Sequence, residues 1–355
     1  MAYVDNLLLY ARDPAKIDEL IEALKKDKIW IRKEGSTEGF LGVDITPHDN
    51  ALHLTQGGLT DRVISALGLD ASYTTPKDTP AETAALPKDA SSSPADPPFN
   101  YASIVGMLLY LAGHTRPDIA FAVHQCARYT FRPTAKHVAA LKRIGRYLKG
   151  TRGKGLILRP SRHLHVDCYP DADFAGLYGH EDSHDPHCVR SRAGYVILVS
   201  NCPVLWRSVL LKEICLSTME AEYCALSLSC KDLFPVIDQL KELAAAVGLP
   251  LDEATKLHTT IHEDNVGALT LGQMEPKRFT PRSKFYALKW HWFRQRVFDP
   301  SNNITLVKVD TKNQLGDIFT KGLGRVAFSY LRSKLMGWSL ENDNDKPTVF
   351  AREGV

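Results

Sequence analysis

The sequence predicts an α/β protein: a mixed sheet with flanking helices in the C-terminal half, preceded by a helical stretch and, at the N-terminal end, a small α+β piece. Three observations carry this expectation. Between residues 100 and 150 apolar residues recur at helical spacing, after Gly150 they fall into short strand-like runs, and beyond Glu222 strand and helix patterns alternate. Residues 71–99 are rich in Pro, Ala, Ser, Asp and Thr. They offer too little apolar surface to offset ordering and read as a flexible linker. The resulting division is 1–70, 71–99, 100–160 and 161–345.

Taken in order, Tyr3, Val4 and Leu7 to Tyr10 flank Asp5 and Asn6 as in a tight hairpin. Ile17, Leu20, Ile21 and Leu24 share one face of a helix over 14–26, the segment GFLGVDI reads as a strand, and 59–67 as a short helix. Three helices follow over 101–112, 117–129 and 135–149, the last closed by Gly150. Strands are expected near 155–158, 164–170, 194–199 and 203–207, ahead of a helix carrying Glu222. A strand over 257–263 precedes another helix, and 304–309 and 312–321 give the last strand and the last helix.

A chain of 355 residues, 44% of them hydrophobic, has room for two or three domains with real cores. The net charge of +3 is too small to name a partner, so any nucleic-acid signal has to come from where the charge lies. Seven cysteines form no Cys-x-x-Cys pair, which fits a reducing intracellular compartment. Asp5, and the lack of a basic stretch leading into an apolar one, argue against a secretory signal. The longest apolar run, 104–112, falls far short of the ~20 residues of a membrane span, so a soluble protein without a membrane partner is expected.

Four acids stand out: Asp171 in YPDAD, Glu222 in STMEAEY, Asp264 in HEDN and Asp317 in NQLGD. They lie in four separate segments, each at the start or end of an expected element. A hydrolase that cuts phosphodiesters with metal ions needs carboxylates converging in this way, to hold two Mg²⁺ about 3.5 to 4 Å apart beside the attacking and leaving oxygens. Taken singly, each acid has a plainer role. Asp171 suits a turn, with Asp173 beside it; Glu222 suits a solvated helix position; Asp264 suits an N-cap before Val266; Asp317 suits an exposed helix charge beside Ile318 and Phe319. Ser217 and Glu220 make a capping box, which gives Glu220 a structural duty that Glu222 lacks.

The words around these acids are more specific. YPDADFAG, SRAGYVI, LSTMEAEYCALS, EDNVGAL and DIFTKGL, in this order, resemble the ribonuclease H domain of copia-type retrotransposon polyproteins. TRPDIAFAVHQCARY and ALKRIGRYLKGT resemble the connection in the same polyproteins, and YVDNLLLYA the last catalytic motif of their reverse transcriptase. The resemblance covers nearly the whole chain. It implies a ribonuclease H-like mixed sheet behind a helical connection and a reverse-transcriptase palm/thumb remnant. It further implies that Asp171, Glu222, Asp264 and Asp317 bind two Mg²⁺, with Mn²⁺ as a substitute, and that the RNA strand of an RNA–DNA hybrid is cut without a covalent intermediate. The setting it implies is intracellular, in cytoplasmic virus-like particles or the nucleus. In the hairpin motif Tyr3-Val4-Asp5-Asn6 the family's second Asp is replaced by Asn6, and Asp5 stands too early in the chain for the rest of a palm, so no DNA synthesis is expected.

Between Asp118 and Asp167 there is no acid, while Lys142, Arg143, Arg146, Lys149 and Arg152 cluster on or beside one helix. Lys142, Arg146 and Lys149 share a face that could track a phosphate backbone; a solvated face is the plain alternative, although such faces usually mix signs. Three departures from the family pattern support a rival reading, a catalytically inactive nucleic-acid-binding remnant. Pro170 removes a backbone donor from a central strand, Phe285 follows Lys284 where the family has His, and Gly316 replaces a common Ala and weakens the last helix. His180, His184, His187 and Cys188 fit no closed zinc site and read as a surface loop.

Overall fold

The computed structural model describes residues 2–3, 6–9, 11, 13–32, 39–88, 92–248, 257–274 and 284–339. At the N-terminal end β1 (Ala2–Tyr3) and β2 (Asn6–Leu7) pair antiparallel, with Tyr3 opposite Asn6. This is the expected hairpin; Val4 and Asp5 lie outside the described residues. Helix α1 (Pro14–Lys26) starts where the Asp13 side chain accepts from the Ala15 N–H and Pro14 presets the first turn. The expected strand in GFLGVDI is displaced. Gly39, Leu41 and Gly42 all adopt positive φ, which bends the chain into a turn, so β3 (Asp44–His48) begins later and pairs with an unforeseen β4 (Ala51–Thr55).

Helices α2 (Gly57–Ala66), α3 (Tyr101–His114), α4 (Ala120–Ala127) and α5 (Ala135–Gly150) follow, then β5 (Leu156–Leu158), which adds to β4. The described part of 71–99 contains no helix or strand, yet it is pinned. Thr79 accepts from Arg143 through its carbonyl at 3.2 Å and its hydroxyl at 2.9 Å, and the Tyr129 hydroxyl donates to the Leu86 carbonyl at 2.7 Å. Composition could not show these external donors, which order the segment together with the packing of Ala81, Leu86 and Phe99 against the core.

The C-terminal half holds β6 (His165–Asp173), β7 (Arg192–Val199), β8 (Cys202–Leu210), α6 (Thr218–Ala246), β9 (His258–Glu263), α7 (Val266–Gln273), α8 (Lys284–Val297), β10 (Ile304–Lys308), α9 (Asp317–Thr320) and α10 (Arg325–Met336). The sheet runs β10-β9-β6-β7-β8, antiparallel across β6-β7-β8 and parallel across β6-β9-β10. This is the ribonuclease H-like mixed sheet that the resemblance implies. Both faces are covered. Val166, Cys168, Tyr195 and Ile197 pack with Tyr223, Leu226 and Leu233 of α6, whereas Val196 and Leu198 join a core shared with α2 to α5, Phe319 and α10.

The last helix needs correction. Residues 312–321 contain only a turn and the short α9, and the last helix among the described residues is α10, whose Phe328, Leu331 and Leu335 recur at helical spacing into the core. Helix α8, which opens on Lys284 and Phe285, was not foreseen either. Among the described residues no helix is long and apolar enough to cross a membrane.

Candidate metal centre

The centre forms at the carboxyl ends of β6 and β9. These neighbours run parallel, so their ends open on one edge, and β6 is the strand from which the sheet continues both ways, the point where open α/β sheets bind ligands. Asp171 is in β6, opposite Gly194 of β7, and is 1% exposed. It is a strand residue, not the turn former it could have been. The Thr320 hydroxyl of α9 donates to its Oδ2, which fixes the carboxylate.

Glu222 comes from the first turns of α6, and burial leaves it 6% exposed, not solvated. The sequence explains the division of labour. The Ser217 hydroxyl accepts from the Glu220 N–H at 3.2 Å and Glu220 Oε2 accepts from the Leu216 N–H at 2.6 Å, so Glu220 is spent on the helix start. Glu222 Oε2 is buried without a hydrogen-bond partner among the described residues. Asp264 follows β9, and the competing duty of capping α7 is taken by Asn265, whose side chain accepts from the Ala268 N–H at 2.9 Å. Ligand oxygens of Asp171, Glu222 and Asp264 all lie within 4.8 Å of one another.

Asp317 adjoins this trio without joining it. It sits in the first turn of α9 and is 7% exposed, so it is not the surface charge it could have been. Lys321 mediates: its Nζ is 2.8 Å from Asp317 Oδ1 and 3.6 Å from Asp171 Oδ2. Thus three of the four acids read from the sequence converge, and the fourth is held to them by an ammonium.

Burial and mutual repulsion set the electrostatics. Burial, then Asp171, Glu263 and Asp264, push Glu222 up to about 10; burial and then Asp171 push Asp317 up to about 7 against the pull of Lys321. Burial also raises Asp264. Burial opposes the Lys321 ammonium, but Asp171 and Asp317 outweigh it and raise its pKa. The donors are carboxylate oxygens, the hard ligands that suit Mg²⁺ or Mn²⁺, and their uncompensated charge and the bare Glu222 oxygen fit a divalent cation.

Sequence reasoning missed several participants. Thr320 and Lys321 stood in DIFTKGL, and the Asp317-to-Lys321 spacing of four was a readable signal. Glu263, fully buried beside Asp264, accepts from the Asn265 N–H at 3.0 Å and burial holds its carboxyl far above the usual range. Gln314 donates to the carbonyls of Pro170 at 2.9 Å and His262 at 3.2 Å, tying β6 to β9 beyond their ladder.

Two supposed defects are explained. Pairing of β6 with β9 ends at Cys168, and the Pro170 carbonyl points to Gln314 on that open side; a strand residue's N–H and C=O leave together, so the missing donor removes no ladder bond. At Gly316 a Cβ would meet Asp171 Cβ at 2.6 Å and the Tyr169 carbonyl oxygen at 2.9 Å. Glycine there is a close fit of α9 against Asp171, not a loss of helix propensity.

The basic residues behave differently from the expectation of a free phosphate-tracking face. Arg143 is bonded to Thr79 and to Glu82 at 3.0 Å, Lys149 donates to the Leu69 carbonyl at 2.8 Å, and Arg152 pairs with Asp61 at 2.7 Å. They clamp residues 61–82 to α5. The histidine-bearing loop is likewise anchored, through Glu181 to Arg128 at 3.1 Å and Asp185 to Lys88 at 3.0 Å.

No family model matches the chain. It is similar to the Retrovirus-related Pol polyprotein from transposon RE1 of Arabidopsis thaliana, 32% identical over 337 residues, which are 94% of this chain and 21% of that protein. It is also similar to the Retrovirus-related Pol polyprotein from transposon TNT 1-94 of Nicotiana tabacum, 30% identical over 345 residues, 95% of this chain and 24% of that protein. The chain therefore spans about a fifth to a quarter of the length of these relatives. Among solved structures, LC11-RNase H1 in complex with RNA/DNA hybrid matches 42% of this chain and 88% of its own, at 16% identity and a TM-score of 0.29.

Proposed function

We propose that this chain, which belongs to the copia-type retrotransposon Pol polyprotein family, is a metal-dependent nuclease that cuts the RNA strand of RNA–DNA hybrids. The observation that carries the reading is the convergence of Asp171, Glu222 and Asp264 oxygens within 4.8 Å at the open end of β6 and β9. Each residue's local role supports it: Thr320 orients Asp171, Glu220 relieves Glu222 of capping, and Asn265 relieves Asp264. Asp171, Glu222 and Asp264 would hold one Mg²⁺, and Asp317 with Asp171 a second. A bound Mg²⁺ supplies Lewis acidity toward the scissile phosphate. The protein excludes water behind the site through the α6 and α9 packing and keeps its carboxylates aimed at one point.

Polymerase function is not part of the reading, since Asn6 leaves the hairpin motif short of a carboxylate. Phosphate contact by α5 is proposed for Lys142 and Arg146, the members of the basic set whose side chains do not hydrogen-bond the 61–82 segment. The units 1–70, 71–99, 100–160 and 161–345 are our proposed division, with the core of α2 to α5 and α10 shared across it.

The test is cleavage of a labelled hybrid in Mg²⁺ by the native chain and by Asp264→Asn. Cutting by the native chain alone supports the reading. A folded native protein that binds hybrid and leaves the RNA intact supports the inactive binding remnant instead.

A further inference from the structure

We propose that Lys321 is a positioning residue that occupies the place of the second cation, so that the centre takes one divalent ion firmly and a second only by displacing the Lys321 ammonium. The inference rests on the metal-centre reading and deepens it.

The argument starts from α9. Lys321 is the residue that ends α9, and its N–H donates to the Asp317 carbonyl at 3.3 Å, which closes the turn and brings its side chain back to Asp317. The helix cannot move aside: a Cβ at Gly316 would collide with Asp171, and one at Gly194 would lie 2.6 Å from Phe319 Cβ, which shows how closely α9 rests on β6 and β7. The ammonium is therefore delivered between Asp317 Oδ1 at 2.8 Å and Asp171 Oδ2 at 3.6 Å. A Mg²⁺ bound by the same two carboxylates needs oxygens at about 2.0–2.1 Å. The same space cannot hold both cations.

The trio of Asp171, Glu222 and Asp264 has no such resident, and Glu222 keeps a bare buried oxygen. The two sides of Asp171 are thus unequal: one is left to an external ion, the other already carries a positive charge. Asp171 is 1% exposed, whereas the Lys321 side chain is 38% exposed, so its long stem can swing the ammonium to solvent when a doubly charged ion competes.

The experiment counts Mn²⁺ bound to the full chain by electron paramagnetic resonance, in the native protein, Lys321→Met, Lys321→Arg and Asp264→Asn. The native protein is expected to bind one ion tightly. Lys321→Met should gain a second, or bind it at least about tenfold more tightly, since removing one unit charge beside two carboxylates favours a cation there. Lys321→Arg keeps a cation and should return the native count, which guards against a variant that merely misfolds. Two equal sites in the native protein, unchanged in Lys321→Met, would overturn the proposal while leaving the metal centre intact. No Mn²⁺ on the native protein, or no loss of the tight site in Asp264→Asn, would overturn the metal-centre reading and this inference with it.

Discussion

The protein buries charge in two places, and the two are built on opposite terms. In the first, the connection and α10 meet around Arg116 and Asp118, an ion pair at 2.8 Å with both side chains about wholly buried. Tyr147 donates to the same carboxylate, Thr151 accepts from Arg116 at 2.8 Å, and Arg332 bonds Tyr147 at 3.2 Å while lying 4.8 Å from the Trp338 ring. Cation faces carboxylate, hydroxyl or aromatic ring throughout. In the second, Asp171, Glu222, Glu263, Asp264 and Asp317 crowd together against the single ammonium of Lys321 among the described residues near them. Charge that is matched holds a fold; charge left unmatched at a strand end is held in readiness for something that brings the opposite sign.

This contrast can be broken experimentally, and the largest effect should come from the matched cluster. Asp118→Ala strands Arg116 without a counter-charge in a dry interior, which should cost about 3–5 kcal/mol in guanidinium unfolding. An unchanged midpoint would show that the pair is not a structural anchor. Next, Gly316→Ala should cost about 1–3 kcal/mol and reduce cleavage, because the added methyl enters the space of Asp171. On helix propensity alone the same change would stabilise, so a gain in denaturation midpoint would refute the close-fit account.

The unmatched cluster predicts an unusual pH response. Asp317 and Glu222 are acids whose folded pKa values are raised, to about 7 and about 10, so the folded state holds their protons more tightly than the unfolded chain does. Stability of the metal-free protein should therefore be fully present below the ordinary carboxylate range and fall as pH rises toward 7 and beyond. Mg²⁺ should restore more at pH 8 than at pH 6. Thermal melts with EDTA and with Mg²⁺ check this, and a metal-free melting temperature that rises from pH 5 to 8 would contradict it. The smallest effect concerns α5: Lys149→Ala should lose about 1 kcal/mol with its carbonyl contact. The slope of hybrid affinity against salt should stay the same, since Lys149 is a clamp and not a phosphate ligand.

How much of this was legible in the sequence differs between local and long-range features. Helix α1 was bounded by Pro14 and Lys26, and the capping box freed Glu222, because those signals sit within a few residues of what they control. The acids were readable as a set only through their surrounding words, since burial turned aside the plain alternatives of Glu222 and Asp317 and nothing local encodes burial. Pro170 and Gly316 looked like damage because their reasons lie across space, in the end of a ladder and in the Cβ of Asp171. The basic helix looked free because the segment it clamps seemed unable to order itself. Lys321 was in plain sight, four residues from Asp317, yet its second partner, Asp171, lies 150 positions away.

The most direct measurement is single-turnover cleavage of an RNA–DNA hybrid beside a DNA duplex of the same sequence, in Mg²⁺ and in EDTA. The account predicts that the RNA strand of the hybrid is cut in Mg²⁺, that the DNA duplex is spared, that EDTA stops the reaction, and that Glu222→Gln slows it by at least about a hundredfold. Cleavage that persists in EDTA, or a native protein that binds the hybrid and never cuts it, would contradict it.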